Sequence, residues 1–228
     1  MKRTDFLAGL KSPLPNAVLK KAPQGNIMQY WGENAELYST SFGHKDDLHK
    51  FLGGHSGIDI ATFHRDPVYA AHDGYVSSIK TKRDDLGGLV VYITSDPLDD
   101  KAVGDCRVQT AYAHLDAVDV SVNQRVKKLD RIGYEGNTGF VVSGGTPYWG
   151  NAPAGLGTHL HFALYEQRLE QGVMWRPRDL NPLGNSVDPL PYISDPTPFD
   201  NVADGNLSGL AIVLANAKKY LNFILGKK

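Results

Sequence analysis

Short runs rich in β-branched and aromatic residues occupy most of the chain from residue 27 to about residue 165. Glycine, aspartate, asparagine or proline separates most of these runs, and the chain contains 24 glycines among its 228 residues. Short runs with turn residues between them are typical of antiparallel sandwiches and open barrels. We therefore predict an all-β domain, with strands at residues 27–31, 58–62, 68–71, 75–79, 89–94, 108–114, 118–122, 131–134 and 159–164.

The segments on either side of this domain have a different pattern. Residues 1–26 contain three prolines and scattered lysines without a strand or helix period, which predicts an irregular leader. Residues 184–206 are rich in proline and aspartate, which predicts an extended connection. Residues 207–228 carry apolar side chains at intervals of three and four, which predicts an amphipathic helix. The remaining residues, 27–183, form the predicted domain.

The apolar stripe of the predicted helix 207–228 needs a covering surface in a soluble protein. Three surfaces are open: the chain's own sheet, a second copy or another partner, and a membrane. Self-association or surface contact through this helix therefore remains an open prediction.

Charge and cysteine content exclude several classes of function. The 24 basic and 25 acidic residues give a formal net charge of −1, so no overall cationic field favours nucleic acid. A single cysteine, Cys106, excludes an internal disulfide and a thiolate zinc cluster. Any metal site must therefore use nitrogen and oxygen ligands.

No apolar run is long enough for a transmembrane helix, and the N-terminal run at 6–10 is shorter than the core of a signal peptide. We therefore predict no transmembrane segment and no signal peptide, and the export route stays unknown.

Two of the predicted strands carry polar side chains at alternate positions. His159 and His161 are expected to lie on one face of their strand, because strand side chains alternate between faces. Tyr112 and His114 have the same spacing and are expected to share a face as well. Two imidazoles on one face indicate either a shared target or two exposed histidines.

A further pair, His55 and Asp59, stands four positions apart around a glycine. Alone, this pair fits a surface hydrogen bond. Joined by a histidine of the 159/161 pair, it would provide the three ligands of a catalytic zinc with one position open for water. The HExxH motif is absent, so histidine rather than glutamate would have to act as the general base.

Five motifs occur in order along the chain: HSGIDIA (55–61), DPVYAAHDGYVSSI (66–79), TAYAHLDAVDV (110–120), RVKKLDRIGYEGNTG (125–139) and GTHLHFALYE (157–166). In this order they resemble the motifs of the lysostaphin/LytM-type zinc endopeptidases, which cleave peptide bonds in bacterial peptidoglycan. The resemblance covers residues 27–183.

This resemblance implies two antiparallel sheets that form an open groove, the duplicated hybrid motif fold. It implies one Zn²⁺ per chain with ligands His55, Asp59 and His161, a catalytic pair of His114 and His159, and no organic cofactor. The implied activity is hydrolysis of a stem-peptide or cross-bridge bond by metal-activated water. The implied place of action is the cell wall, reached in the extracellular space, in the periplasm or by phage delivery.

The sequence departs from the family pattern at two long insertions. Residues 140–156 separate the GNTG and HLHF motifs and are expected to form either a groove wall or a solvated loop. Residues 95–107 are expected to form an enlarged hairpin loop with solvated carboxylates. Four histidines outside the motif roles are expected at surface or turn positions, although His64 and His72 could also line the groove. These four are His44, His49, His64 and His72.

Two other functions remain open at this point. One is a non-catalytic module on the same fold that binds the wall or activates a hydrolase, although such relatives usually lack ligands. The other is a phosphocarrier domain with paired histidines, against which the His55 and Asp59 pair argues. Neither can be decided by fold alone.

Overall fold

The computed structural model describes residues 1–34, 54–100, 104–150, 152–170, 174–177 and 186–193. Among these residues no helix has the length and apolar character needed to cross a membrane. The predicted helix 207–228 lies outside the described residues. The elements are α1 (Arg3–Ala8), β1 (Ile27–Gln29), β2 (Ile58–Ile60), β3 (Pro67–Tyr69), β4 (Gly74–Lys80), β5 (Leu89–Thr94), β6 (Leu98–Asp100), β7 (Gly104–Leu115), β8 (Ala117–Val118), β9 (Arg125–Val126), β10 (Arg131–Tyr134), β11 (Phe140–Ser143), β12 (Thr146–Trp149), β13 (Leu160–Glu170), β14 (Met174–Pro177) and β15 (Ser186–Val187).

One large antiparallel sheet organises the described part of the chain. Its strand order is β1-β2-β13-β7-β5-β4-β9, with β14 and β15 also paired to β13, and β6 to β7. A smaller sheet has the order β3-β10-β8, and β11 and β12 form a separate hairpin. Within the described residues the end strands β1 and β9 do not pair with each other, so the large sheet stays open. The prediction of an all-β, antiparallel architecture is confirmed.

The two faces of the central strands β7 and β13 contribute to two separate apolar clusters. On one face Tyr112 and Phe162 are fully buried, and their ring centroids lie 5.4 Å apart. On the other face the same strands present Ala111, Ala113 and Ala163. Tyr112 and Phe162 therefore belong to the main core, whereas Val90, Tyr92 and Tyr165 pack against the alanines on the opposite face.

The leader, residues 1–26, contributes to the core. Leu7 is 2% exposed and Leu10 is fully buried. Arg3 donates a hydrogen bond to Glu166 at 2.8 Å and so ties the leader to β13. The leader contains the six-residue helix α1, which is too short to show a helical period in the sequence.

Segment 140–156, predicted as a groove wall or solvated loop, contains a regular hairpin. Phe140 in β11 pairs with Trp149 in β12, and their ring centroids lie 4.7 Å apart. Gly144 and Gly145 form the tip with φ angles of 55° and 81°. Glycine adopts such angles at little cost, so these two residues permit the tight turn.

Segment 95–107 is also more regular than the predicted loop, because β6 pairs with the first residues of β7. Two of its aspartates are in ion pairs. Asp96 accepts two hydrogen bonds from Arg125, at 2.7 and 2.8 Å, and Asp100 pairs with Arg3.

Candidate active site

The predicted ligand trio converges on one point of the large sheet. Asp59 in β2 is the direct pairing partner of His161 in β13, and His55 precedes β2 by three residues. Asp59 Oδ1 lies 3.0 Å from His55 Nε2 and 3.0 Å from His161 Nδ1. The two imidazole nitrogens are 2.9 Å apart. The structure therefore brings together the three side chains that the motifs single out.

The backbone around His55 fixes the orientation of its ring. Nδ1 lies 3.1 Å from the carbonyl oxygen of Tyr30, so Nδ1 carries the hydrogen and Nε2 keeps its lone pair. His55 N–H donates to Glu33 O at 2.9 Å, and His55 O accepts from Gly32 N–H at 2.8 Å. A Cβ at Gly54 would lie 2.6 Å from Gly32 O, so this approach requires glycine.

Electrostatics favour an ionised Asp59 and a neutral His161, which are the forms that bind a cation, but they favour a protonated His55, from which a cation would have to displace the proton. Burial alone would raise the pKa of Asp59, but His55 and His159 hold the pKa of this carboxyl well below its usual range. Burial lowers the pKa of His161, and the hydrogen bond to Asp59 offsets this in part. The pKa of His55 is raised because Asp59 outweighs the effect of burial. Two imidazole nitrogens and a carboxylate oxygen are a common zinc donor set, and one ion could contact all three.

His114 reaches this site through a break in strand alternation. Strict alternation predicts that it shares a face with Tyr112, and this prediction is wrong, because Tyr112 lies in the core. His114 has a φ of 61°, and the pairing of β7 with β5 shifts register nearby. The resulting bulge places its ring centroid 4.5 Å from that of His159 and 6.2 Å from that of His161. Left-handed non-glycine residues of this kind cluster at functional sites.

Carbonyl groups fix the tautomers of the two predicted catalytic histidines. His114 Nδ1 lies 2.7 Å from Thr138 O, and His159 Nδ1 lies 2.8 Å from Gly157 O. Each ring therefore carries its hydrogen on Nδ1 and its lone pair on Nε2. His159 Nε2 lies 3.7 Å from Asp59 Oδ2. Burial, together with the neighbouring histidines, lowers the pKa of His114 to about 3, so this ring is neutral at neutral pH.

Of the four remaining histidines, His64 and His72 lie in different environments. His64 Nδ1 lies 3.3 Å from Thr158 Oγ1, at the edge of the site. His72 was expected at the surface or in the groove, but it is 2% exposed and contacts Thr110 on the core face. Burial lowers the pKa of His72 to about 4. The other two, His44 and His49, lie outside the described residues.

The sequence interpretation gave no role to Glu135, a fully buried residue that directly follows β10. Its carboxyl group accepts a hydrogen bond from Thr62 N–H at 3.0 Å and also bonds the Thr62 hydroxyl. Burial raises the pKa of Glu135 to about 8, although the bonds from Thr62 oppose the shift. Thr62 follows β2, so this contact joins the small sheet to the strand that carries Asp59.

Glu135 predicts a pH dependence of stability. The folded protein keeps this proton up to about pH 8, whereas the unfolded chain loses it near the ordinary value of 4.5. The folded state binds more protons in this window, so its contribution to stability falls as pH rises from 4.5 to 8. Glu135→Gln retains both hydrogen bonds without a titrating proton and should flatten this slope.

The measurement is urea unfolding of both proteins at pH 5 and pH 8, with a chelator present so that metal release does not contribute. Between these pH values the wild type should lose on the order of 1–3 kcal/mol more than the variant. Equal losses would show that Glu135 is ionised in the folded protein.

The chain is similar to one known protein family and to several solved structures. The sequence model of peptidase family M23 matches residues 53–174, more than half of the chain. Similar solved structures include the catalytic domain of lysostaphin from Staphylococcus simulans, with 21% identity over 61% of this chain and 79% of that chain and a TM-score of 0.41. LytU matches with 26% identity over 76% of this chain and 88% of that chain, with a TM-score of 0.44.

A zinc-containing peptidase from Vibrio cholerae matches with 22% identity over 79% of this chain, with a TM-score of 0.42. The match covers 40% of that longer protein. No curated protein sequence matches the chain.

Proposed function

The chain belongs to peptidase family M23, and on that premise we propose that it is a zinc-dependent endopeptidase that cleaves a peptide bond of bacterial peptidoglycan. The bond lies in a stem peptide or a cross-bridge. The observation that carries the proposal is the convergence of His55, Asp59 and His161, whose donor atoms lie 2.9–3.0 Å apart. Two further histidines, His114 and His159, stand beside this trio.

The trio provides a suitable site for one zinc ion. His55 Nε2, Asp59 Oδ1 and His161 Nδ1 would hold it, and the carboxylate would offset part of its charge. Zinc in such a site polarises a carbonyl group and lowers the pKa of water towards about 7.

The hydrogen bonds of the two neighbouring histidines restrict proton transfer to one nitrogen of each ring. Because the Nδ1 hydrogens of His114 and His159 are bound to carbonyl oxygens, each ring can accept a proton only at Nε2. One ring takes the proton of the attacking water, and the imidazolium that forms can protonate the leaving amine. While protonated, it also stabilises negative charge on the carbonyl oxygen.

The strands around His161 carry buried alanines on the same face. Ala111, Ala113 and Ala163 are at most 5% exposed, because Val90, Tyr92 and Tyr165 pack against them. An enzyme that cleaves peptidoglycan works at the cell wall, outside the cytoplasm.

The deciding experiment is digestion of purified peptidoglycan by the zinc-loaded protein, followed by mass analysis of the released muropeptides. We expect new amino and carboxyl termini at one type of peptide bond. A chelator should stop the release, and added Zn²⁺ should restore it. The masses of the products would also identify the bond.

The same experiment separates the enzyme from a non-catalytic module. A protein that binds the wall and holds zinc but releases no fragments would contradict the proposal and favour the wall-binding function.

A further inference from the structure

The buried side chain of Asn137 holds one turn of the chain next to the site. Its amide nitrogen lies 2.8 Å from Pro153 O, 2.9 Å from Leu156 O and 3.4 Å from Ala152 O. A side-chain amide has two N–H donors, so carbonyls of this one turn take both. Asn137 is 7% exposed, so water would replace these bonds poorly.

This turn leads directly to His159. Residues 153–156 are exposed, so burial does little to hold them in place. Gly157 follows with a φ of 65°, and its carbonyl oxygen lies 2.8 Å from His159 Nδ1. The orientation of the His159 ring therefore depends on a turn that the amide of Asn137 fixes.

The residues on both sides of Asn137 contact the catalytic pair as well. Gly136 O accepts the backbone N–H of His159 at 3.1 Å. Thr138 O lies 2.7 Å from Nδ1 of His114. Segment 136–138 thus supports both histidines, with the side chain of Asn137 as its link to the turn.

We propose that Asn137 is a positioning residue, which fixes the ring and the Nδ1–H tautomer of His159 by holding the Gly157 carbonyl in place. The inference rests on the proposed function, in which His159 transfers a proton at Nε2. Asn137 does not touch the substrate in this role and acts only through the turn.

The first test replaces the amide donors. Asn137→Ala removes them, and Asn137→Asp puts an acceptor-only group against the same carbonyls. For both variants we expect kcat to fall by about 10- to 100-fold, the range found for residues that orient an active-site group. KM and zinc content should change less than twofold. Long-range ¹H–¹⁵N spectra should show that His159 no longer populates the Nδ1–H tautomer alone, a change that a general loss of stability would not produce.

The second test disturbs the turn from its other end. Gly157→Ala forces a left-handed alanine whose Cβ would lie 3.1 Å from the Val141 side chain, so the Gly157 carbonyl must move. Gly145→Ala is the matched control, because Gly145 has a φ of 81° with nothing within 4 Å of an added Cβ. We expect Gly157→Ala to reproduce the loss in kcat and Gly145→Ala to leave kcat unchanged. The double variant Asn137→Ala/Gly157→Ala should be little worse than the poorer single variant, because both act through one carbonyl.

The outcomes distinguish this inference from the proposed function. Two results would each show that Asn137 has no positioning role. One is a wild-type kcat with an unchanged His159 tautomer in the Asn137 variants. The other is independent effects of the two substitutions in the double variant. Should the Asn137 variants fail to fold, the Gly157 and Gly145 pair decides the question. His159→Ala serves as the reference. If this variant is inactive while the others are normal, only the inference about Asn137 fails, and if it is fully active, the proposed catalytic role of His159 fails.

Discussion

His161→Ala is expected to lose both the bound zinc and the activity. His161 provides one of the three donor atoms, and the remaining two, His55 Nε2 and Asp59 Oδ1, form an incomplete site. Loss of a group that only orients a ligand costs about 10- to 100-fold in affinity or activity, so loss of the ligand itself should exceed that range. Elemental analysis of the purified variant measures the zinc, and peptidoglycan digestion measures the activity.

A matched control for this variant is His64→Ala. His64 is an imidazole at the edge of the site, but it is not among the three donors. We expect His64→Ala to retain one zinc per chain. Full zinc occupancy in His161→Ala would show that the ligand assignment is wrong.

The second large effect is a separation of metal binding from catalysis. His114→Ala and His159→Ala should keep zinc, because neither ring belongs to the donor trio. Both should lose activity by about 10²- to 10⁴-fold, the usual cost of removing a general acid or base. Zinc content and kcat on a soluble peptide, measured on the same samples, give the two quantities.

His114 needs a second variant, because its φ of 61° is unfavourable for alanine. His114→Asn tolerates the left-handed backbone better but supplies no imidazole. A similar loss of activity in both variants would assign the effect to the missing ring. Activity close to wild type in His114→Asn would contradict a proton-transfer role for His114.

Much of the strand pattern could be predicted from the sequence. The predicted strands at 89–94 and 131–134 have the same bounds as β5 and β10. Strand β7, from 104 to 115, extends beyond the predicted 108–114 at both ends, and β13, from 160 to 170, extends beyond the predicted end at 164. These extensions are paired with neighbouring strands, and such partners are not encoded in local composition.

The candidate site likewise combines features that could be predicted from the sequence with features that could not. The common face of His159 and His161 was predictable, because alternation in a strand depends only on the local backbone. Both side chains do approach Asp59. The residue types of the proposed ligands and the order of the motifs were equally visible in the sequence.

The placement of His114 was not predictable, because its bulge arises where β7 pairs with β5. The hydrogen bonds of the buried Glu135 carboxyl and of the Asn137 amide join residues that are 73 and 16 positions apart in the chain. The sequence by itself thus determined which side chains are available for the proposed metal binding and proton transfer. Only the tertiary structure decided how those groups are oriented, because their hydrogen-bond partners come from segments that meet only after the sheets have formed.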